Sequence, residues 1–199
     1  MKDKILDKCI FFLQKYNNYS KKDIQKLRYG LEGIYLTITK MIFILLLSLI
    51  LGILKEVIIV ICLFNILRFF GFGFHAEKSS DCLVFSIFTF VFVTLFLLKI
   101  NITNTFFLIT SAITIISFLL FAPADTIKRP LKNKKKRVIR KFLTVLTGIF
   151  YILLIIYFKY GVLSKLLLSS LIIESIFINP LTYKAYKQPF NNYKKLNSA

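Results

Sequence analysis

The residues best suited to chemistry lie in one short segment, RFFGFGFHAEKSSDC, which covers residues 68–82. It contains the single histidine of the chain, His75, and Cys82 follows seven residues later. A cysteine and a histidine are the minimum for thiol-based nucleophilic catalysis, because the imidazole accepts the thiol proton and the thiolate attacks an acyl carbon. The segment is therefore a candidate active site.

The residues just before Cys82 predict the start of a helix. Ser79, Ser80 and Asp81 are all favoured N-cap residues. Cys82 then lies in the first helical turn, where free N–H groups and the helix dipole stabilise a thiolate. The same N–H groups could receive an oxyanion. The negative charge of Asp81 opposes this effect unless its carboxylate is engaged in capping.

The seven-residue spacing places a condition on this interpretation. Seven helical residues rise about 10.5 Å, which is too far for a hydrogen bond between the two side chains. The chain must therefore turn back, and Gly71 and Gly73 allow such a turn. An ordinary interpretation stays open, in which His75 is a solvated loop residue and Cys82 a small hydrophobic one.

The other cysteines do not form a comparable site. Cys9 and Cys62 have no nearby histidine, so we interpret both as structural, and three cysteines offer no disulfide framework. One histidine and one cysteine fall short of the three or four ligands of a zinc site. We therefore expect neither a metal nor a cofactor.

Three further charged features lie near the ends of apolar runs. Arg68 is either a positive-inside anchor or a group that holds a carboxylate or backbone carbonyl of a peptide. The run KRPLKNKKKRVIRK, residues 128–141, would contact anionic lipid and is compatible with docking of an acidic peptide. Glu174 lies within the last apolar run, where an ionisable group is a functional candidate, but it is about one turn from the end, and we expect its side chain to snorkel to the surface.

Composition places these residues in a membrane protein. The 199 residues are 57% hydrophobic and have a mean hydropathy of +0.71, more apolar surface than a soluble domain could bury. The net charge of +19 lies in blocks between apolar runs, which argues against nucleic acid as a partner. No cleavable signal peptide is evident, because a basic leader precedes the first long apolar run.

The apolar runs predict an all-α polytopic fold with about six transmembrane helices. The predicted spans are 36–54, 57–70, 82–98, 105–122, 142–158 and 162–178. Residues 3–16 have the pattern of an amphipathic helix lying in the headgroup region. We expect a single membrane domain over residues 1–199, with a cytoplasmic leader at 1–30, transmembrane helices at 31–180 and a cytoplasmic tail at 181–199.

The distribution of lysine and arginine predicts the orientation of these spans. With six spans and a cytoplasmic N-terminus, 23 basic residues lie on the inner side and 3 on the outer side. Lys40 and Lys165 lie within spans near their ends and are expected to snorkel. Both termini, and the loop at 68–81, should therefore face the cytoplasm of a multi-pass protein of the cell membrane.

Three segments resemble the accessory gene regulator B (AgrB) family, the membrane endopeptidases of bacterial quorum sensing. LRYGLEGIYLTITK, residues 27–40, is similar to the family's entry into its first span. A second segment resembles the family's active-site pattern. In it, Arg68 is followed by Gly73 and His75 as Gly-x-His, then by six residues, and then by Cys82. FAPADTIKRPLKNKKKR, residues 121–137, resembles its Ala-Pro, Asp-Thr and Pro-Leu stretch leading into lysines.

The resemblance implies a specific reaction on a small AgrD-like propeptide at the cytoplasmic side. Cys82 would be the nucleophile and His75 its base, giving an acyl-thioester and releasing an acidic C-terminal tail. An internal cysteine or serine of the substrate would then close a thiolactone or lactone. The family pattern also marks Arg68 and Gly73 as important. It marks basic segments as needed for processing, here Lys134, Lys135 and Lys136.

Several points stay open at the level of sequence. No third member of a catalytic triad can be assigned, with Glu77 and Asn65 as guesses. Cyclisation requires that water be kept from the acyl-enzyme, and we expect a cover of four phenylalanines, Phe69, Phe70, Phe72 and Phe74. A homodimer is compatible with the short spans. The alternative function is a non-catalytic exporter or assembly protein of the membrane.

Overall fold

The structure is a computed structural model that describes residues 2–16, 19–76, 78–126, 130–158 and 161–193. Within these ranges the regular structure is helical, and Phe72 and Ala124 form an isolated parallel β-bridge. The all-α class predicted from the apolar runs is confirmed.

The helices follow the predicted runs closely. Those before the candidate site are α1 (Lys2–Tyr16), α2 (Lys21–Ile50) and α3 (Leu54–Gly71). A continuous helical rod then consists of α4 (Ser79–Ile87), a π-helical turn (Phe88–Phe92) and α5 (Val93–Lys99). The remaining helices are α6 (Asn104–Phe121), α7 (Lys134–Tyr157), α8 (Val162–Ile178) and the short α9 (Pro180–Ala185).

Four helices are long and apolar enough to cross a membrane by length and composition, which confirms a membrane protein at that level. They cover Lys22–Ile50, Ser80–Lys99, Asn104–Phe121 and Lys134–Tyr157. The predicted spans at 57–70 and 162–178 also form helices, α3 and α8. However, α3 contains three charged residues, Lys55, Glu56 and Arg68, and α8 has only 17 residues. The count of six spans therefore stays a prediction.

The chain divides into two compact units, and the first contains Met1–Leu46. In this unit Arg28 contacts the carboxylates of Asp3 and Asp7 at 3.5 and 3.0 Å, and these ion pairs join α1 to the start of α2. Leu6 and Ile10 of α1 are buried, whereas Phe11 is exposed. The position of α1 in the headgroup region stays a prediction.

The second unit, Leu47–Ala199, is a helical bundle built around α8. Twelve of the 17 residues of α8 are buried, and it packs against α3, α5, α6 and α7. The partner face of α3 consists of Val57, Val60, Ile61, Phe64 and Leu67. These residues recur every three or four positions, the spacing that places side chains on one face of a helix.

Hydrogen bonds near the two ends of this bundle show which loops lie together. At one end, Lys165 near the start of α8 donates from Nζ to the carbonyl oxygens of Leu98 and Ile100, at 2.9 and 2.7 Å. At the other end, the N–H of Phe74, after α3, donates to the carbonyl of Phe177 in the last turn of α8. The 72–76 loop and the C-terminal end of α8 therefore share one end of the bundle.

Lys165 does not need to snorkel, because its ammonium group is satisfied inside the protein. The last carbonyls of a helix have no partner within the helix, and Lys165 supplies one for the end of α5. A cation at this end also interacts favourably with the helix dipole. Lys165 thus joins the start of α8 to the end of α5.

We predict that Lys165→Met lowers the free energy of unfolding by about 2 kcal/mol, because two charge-assisted hydrogen bonds are lost. The measurement is thermal unfolding in nanodiscs. The matched control is Lys99→Met, since Lys99 is exposed in the same region and should tolerate the change. Equal effects of the two substitutions would contradict the role assigned to Lys165.

Candidate active site

The chain leaves helical geometry directly after α3, in the segment that contains His75. Phe72 and Gly73 have positive φ angles of 58° and 113°. The N–H of Gly73 donates to the carbonyl of Ala124 at 2.7 Å, and the N–H of Phe74 donates to the carbonyl of Phe177 at 2.7 Å. The loop is therefore attached both to the segment after α6 and to the end of α8.

Arg68 holds the same loop from the side of α3. Its Nη2 donates to the carbonyls of Gly73 and Phe74 at 3.1 and 2.5 Å. Its guanidinium group also lies over the ring of Phe177, 4.7 Å from the centroid. Arg68 therefore fixes the two residues that precede His75. We call these contacts of Arg68 with the two carbonyls the Arg68 clamp.

The Arg68 clamp depends on glycine at position 73. A Cβ atom there would lie 2.4 Å from Nη1 of Arg68 and 2.9 Å from the carbonyl oxygen of Phe177. The φ of 113° also disfavours any residue with a side chain. Sequence reasoning predicted a turn at this glycine, and the structure adds a close approach to the arginine.

His75 is exposed, and its ring is held by a contact with the neighbouring backbone. Nδ1 lies 2.9 Å from the carbonyl oxygen of Ala76. A carbonyl only accepts hydrogen bonds, so Nδ1 donates in this contact. Glu77, one guess for a third catalytic group, lies outside the described residues. The other, Asn65, is exposed on α3.

Cys82 lies in the first turn of α4, as predicted, but the prediction that Ser79, Ser80 or Asp81 caps the helix is wrong. The helix begins at Ser79, with Lys78 as the N-cap residue and no side-chain cap. The N–H of Cys82 donates to the carbonyl of Lys78 at 3.1 Å. Cys82 is half-buried and packs against the hydrophobic core, whereas Cys9 and Cys62 are exposed.

An aromatic cluster packs the loop of His75 against the helix of Cys82. Phe74 precedes His75, and Phe85 lies one turn after Cys82. Their rings are 5.4 Å apart in an edge-to-face arrangement. The ring of Tyr186, after α9, lies 4.8 Å from Phe74 and 5.5 Å from Phe85. The two candidate catalytic residues therefore flank one packed contact.

The phenol of Tyr186 also interacts electrostatically with the start of α4. Burial raises the pKa of Tyr186, and the charges of Asp81 and Cys82 raise it further. The raised pKa favours the neutral phenol of Tyr186 at the edge of the site. Nothing in the sequence pattern indicated this tyrosine.

Asp125 organises the loop between α6 and α7. Its buried carboxylate accepts hydrogen bonds from the N–H groups of Leu131, Asn192 and Tyr193, at 3.3, 2.8 and 2.9 Å. The hydroxyl of Tyr183 donates to its backbone carbonyl at 3.0 Å. Asp125 thus ties this loop to the C-terminal segment. It is the single acidic residue in the sequence segment 121–141, and this feature could have identified it from the sequence.

The basic start of α7 lies beside the same loop. Arg140 donates from Nη1 to the carbonyl of Phe69 at 2.7 Å, and its guanidinium lies 4.3 Å from the centroid of the Phe72 ring. Three lysines of the first turn of α7 are exposed, Lys134, Lys135 and Lys136. The basic block and the 72–76 loop therefore lie at one end of the bundle.

Two expectations about this region are wrong. Glu174 does not snorkel, because it is fully buried in α8. The four phenylalanines do not form one cover either. Phe74, in the 72–76 loop, is buried. Phe69 is 69% exposed, because the helical geometry of α3 directs it outward. The buried aromatic groups next to the candidate site are therefore those of the cluster around Phe74.

Comparison with known proteins matches residues 6–178 to the family described as Accessory gene regulator B. A relative from Listeria innocua, described as AgrB-like, is 32% identical over 175 residues, which cover 85% of this chain and 83% of the relative. The chain is 30% identical to Accessory gene regulator protein B of Staphylococcus aureus over 183 residues, 91% of this chain and 96% of the relative. No solved structure matches the chain.

We predict that Gly73→Ala destabilises the loop by about 2 kcal/mol or more, because the methyl group strains the backbone and collides with Arg68. The rate of thiol labelling of Cys82, measured in a Cys9→Ala/Cys62→Ala background, should change. Gly33→Ala is the control, since a Cβ there meets nothing within 4 Å. Unchanged labelling in Gly73→Ala would show that the loop does not determine the surroundings of Cys82.

Proposed function

The chain belongs to the accessory gene regulator B family, and from this premise we propose that it is a membrane cysteine endopeptidase that processes an AgrD-like autoinducer propeptide. Cleavage would take place on the cytoplasmic side of the cell membrane. The observation that carries the proposal is the packing of the His75 loop against the helix of Cys82 through Phe74 and Phe85.

The proposed reaction begins with proton transfer from the Cys82 thiol to Nε2 of His75. The thiolate adds to the scissile carbonyl, and the C–N bond breaks while the imidazolium gives its proton to the leaving amine. The C-terminal fragment departs, and the N-terminal part of the substrate stays on Cys82 as a thioester. A thiol or hydroxyl of that same fragment then attacks the thioester carbonyl, which closes the ring and regenerates the Cys82 thiol.

The structure supports this proposal through the setting of each group. Cys82 lies in the first turn of α4, where N–H groups of the helix start can stabilise both a thiolate and an oxyanion. Apolar packing around Phe74 and Phe85 limits the approach of water, and ring closure requires that hydrolysis of the thioester be slow. The contact of Nδ1 with the carbonyl of Ala76 orients the ring of His75, and Nε2 would act as the base.

The basic start of α7 provides a site for the acidic part of the substrate. Lys134, Lys135 and Lys136 are exposed, and Arg140 of the same helix donates to the carbonyl of Phe69, the residue that follows Arg68. A surface of one charge raises the local concentration of an oppositely charged peptide. We propose that these lysines draw the acidic tail toward the site.

We predict that Cys82→Ala and His75→Ala each reduce cleavage by a factor on the order of 10²–10⁴, because each removes one member of the proton-transfer pair. Cleavage is measured by mass spectrometry of both fragments after co-expression with the propeptide. Cys9→Ala and Cys62→Ala are the matched controls and should cleave normally, since both cysteines are exposed and neither has a histidine near it in the sequence. Normal processing by Cys82→Ala would leave a non-catalytic membrane protein as the better account.

We also predict that the triple variant Lys134→Gln/Lys135→Gln/Lys136→Gln raises KM roughly tenfold at low salt and leaves kcat unchanged, because surface charges act on substrate encounter. The difference should shrink as salt increases. The control is Lys55→Gln/Lys99→Gln, since these two exposed lysines lie at the ends of α3 and α5 far from the site. A loss that is independent of salt would argue against electrostatic attraction.

A further inference from the structure

Three ionisable side chains in the described part of the bundle have buried atoms without hydrogen-bond partners, namely Arg68, Arg137 and Glu174, and two of them carry opposite charges next to the candidate site. Glu174 of α8 is 0% exposed, and neither of its carboxylate oxygens has a partner among the described residues. Nη1 of Arg68 is also buried without a hydrogen-bond partner among the described residues, whereas Nη2 donates to both carbonyls of the Arg68 clamp. A buried charge without compensation is costly, so these two groups call for a joint explanation.

Two glycines of the site segment show that these charged groups lie close to the same stretch of backbone. A Cβ atom on Gly71 would lie 2.3 Å from Oε1 of Glu174. Gly71 follows Arg68 by three residues, so both lie on one face of α3. A Cβ atom on Gly73 would lie 2.4 Å from Nη1 of Arg68. Each glycine therefore makes room for one of the two opposite charges.

Neighbouring hydroxyl groups do not satisfy the carboxylate of Glu174. Tyr183 donates to the backbone carbonyls of Ala124 and Asp125. Thr144, which also lies against Gly71, donates to the carbonyl of Arg140 at 2.8 Å. The attraction between Glu174 and Arg68 is left as the interaction that opposes the cost of burying the carboxylate.

We propose that Glu174 is a positioning residue, the counter-charge that keeps the guanidinium of Arg68 buried and directed at the carbonyls of Gly73 and Phe74. Without this carboxylate, Arg68 would be a lone buried cation, and its long side chain would move toward water. The clamp would open, and the loop would no longer hold His75 against the helix of Cys82. The effect on cleavage rests on the proposed function, whereas the charge pairing does not.

The test is a double-mutant cycle in nanodiscs with Glu174→Leu, Arg68→Met and the double variant Arg68→Met/Glu174→Leu. Each single variant leaves one buried charge and should lower the unfolding midpoint, whereas the double variant removes both and should unfold above either single variant. Cleavage should fall roughly tenfold or more in Glu174→Leu and stay low in the double variant, because the clamp is absent in both. The control is Glu56→Leu, at the opposite end of α3.

Two results would overturn the proposal. The first is additive lowering of the unfolding midpoint in the double variant, which would show that the two charges do not interact. The second is cleavage restored by the double variant, which would show that a filled core is sufficient and that the clamp positions nothing. Failure of the proposed function is seen separately, as absence of cleavage by the wild-type protein, and leaves the midpoint comparison intact.

Discussion

The guanidinium of Arg68 provides the constraint on which the candidate site depends. It lies on the last turn of α3, over the ring of Phe177, and its Nη2 bonds two consecutive carbonyls of the following loop. A hydrogen bond to a charged donor is about twice as strong as a neutral one, and in an apolar interior its loss is not replaced by water. The path of the chain from Gly73 to His75 therefore follows from one side chain.

The rest of the bundle end is arranged around this loop. The end of α8 accepts the N–H of Phe74, the segment after α6 accepts the N–H of Gly73, and Asp125 ties that segment to the C-terminal residues. Four parts of the chain that are far apart in sequence thus meet at one place. A reacting thiol and its base need a fixed geometry, and such a junction supplies it better than a free loop would.

The helices could be predicted from the sequence because apolar runs of bilayer length leave little choice of structure. The turn before His75 was also predictable, since Gly73 favours a positive φ. Glu174 and Asp125 were not, because their roles depend on partners from other helices. A carboxylate near the end of an apolar run can reach water or stay buried, and burial of Glu174 follows from the central position of α8. The six-span count and the orientation of the termini stay predictions.

The most direct test of this account is hydrogen–deuterium exchange of the amides of Gly73 and Phe74 in nanodiscs. Both are bonded at 2.7 Å to carbonyls of other segments, so they should exchange slowly, as helical amides do. In Arg68→Lys the same amides should exchange roughly tenfold faster, because a lysine cannot reproduce the two-carbonyl contact of the guanidinium. Fast exchange in the wild-type protein, or equal exchange in the variant, would contradict the claim that Arg68 fixes the loop.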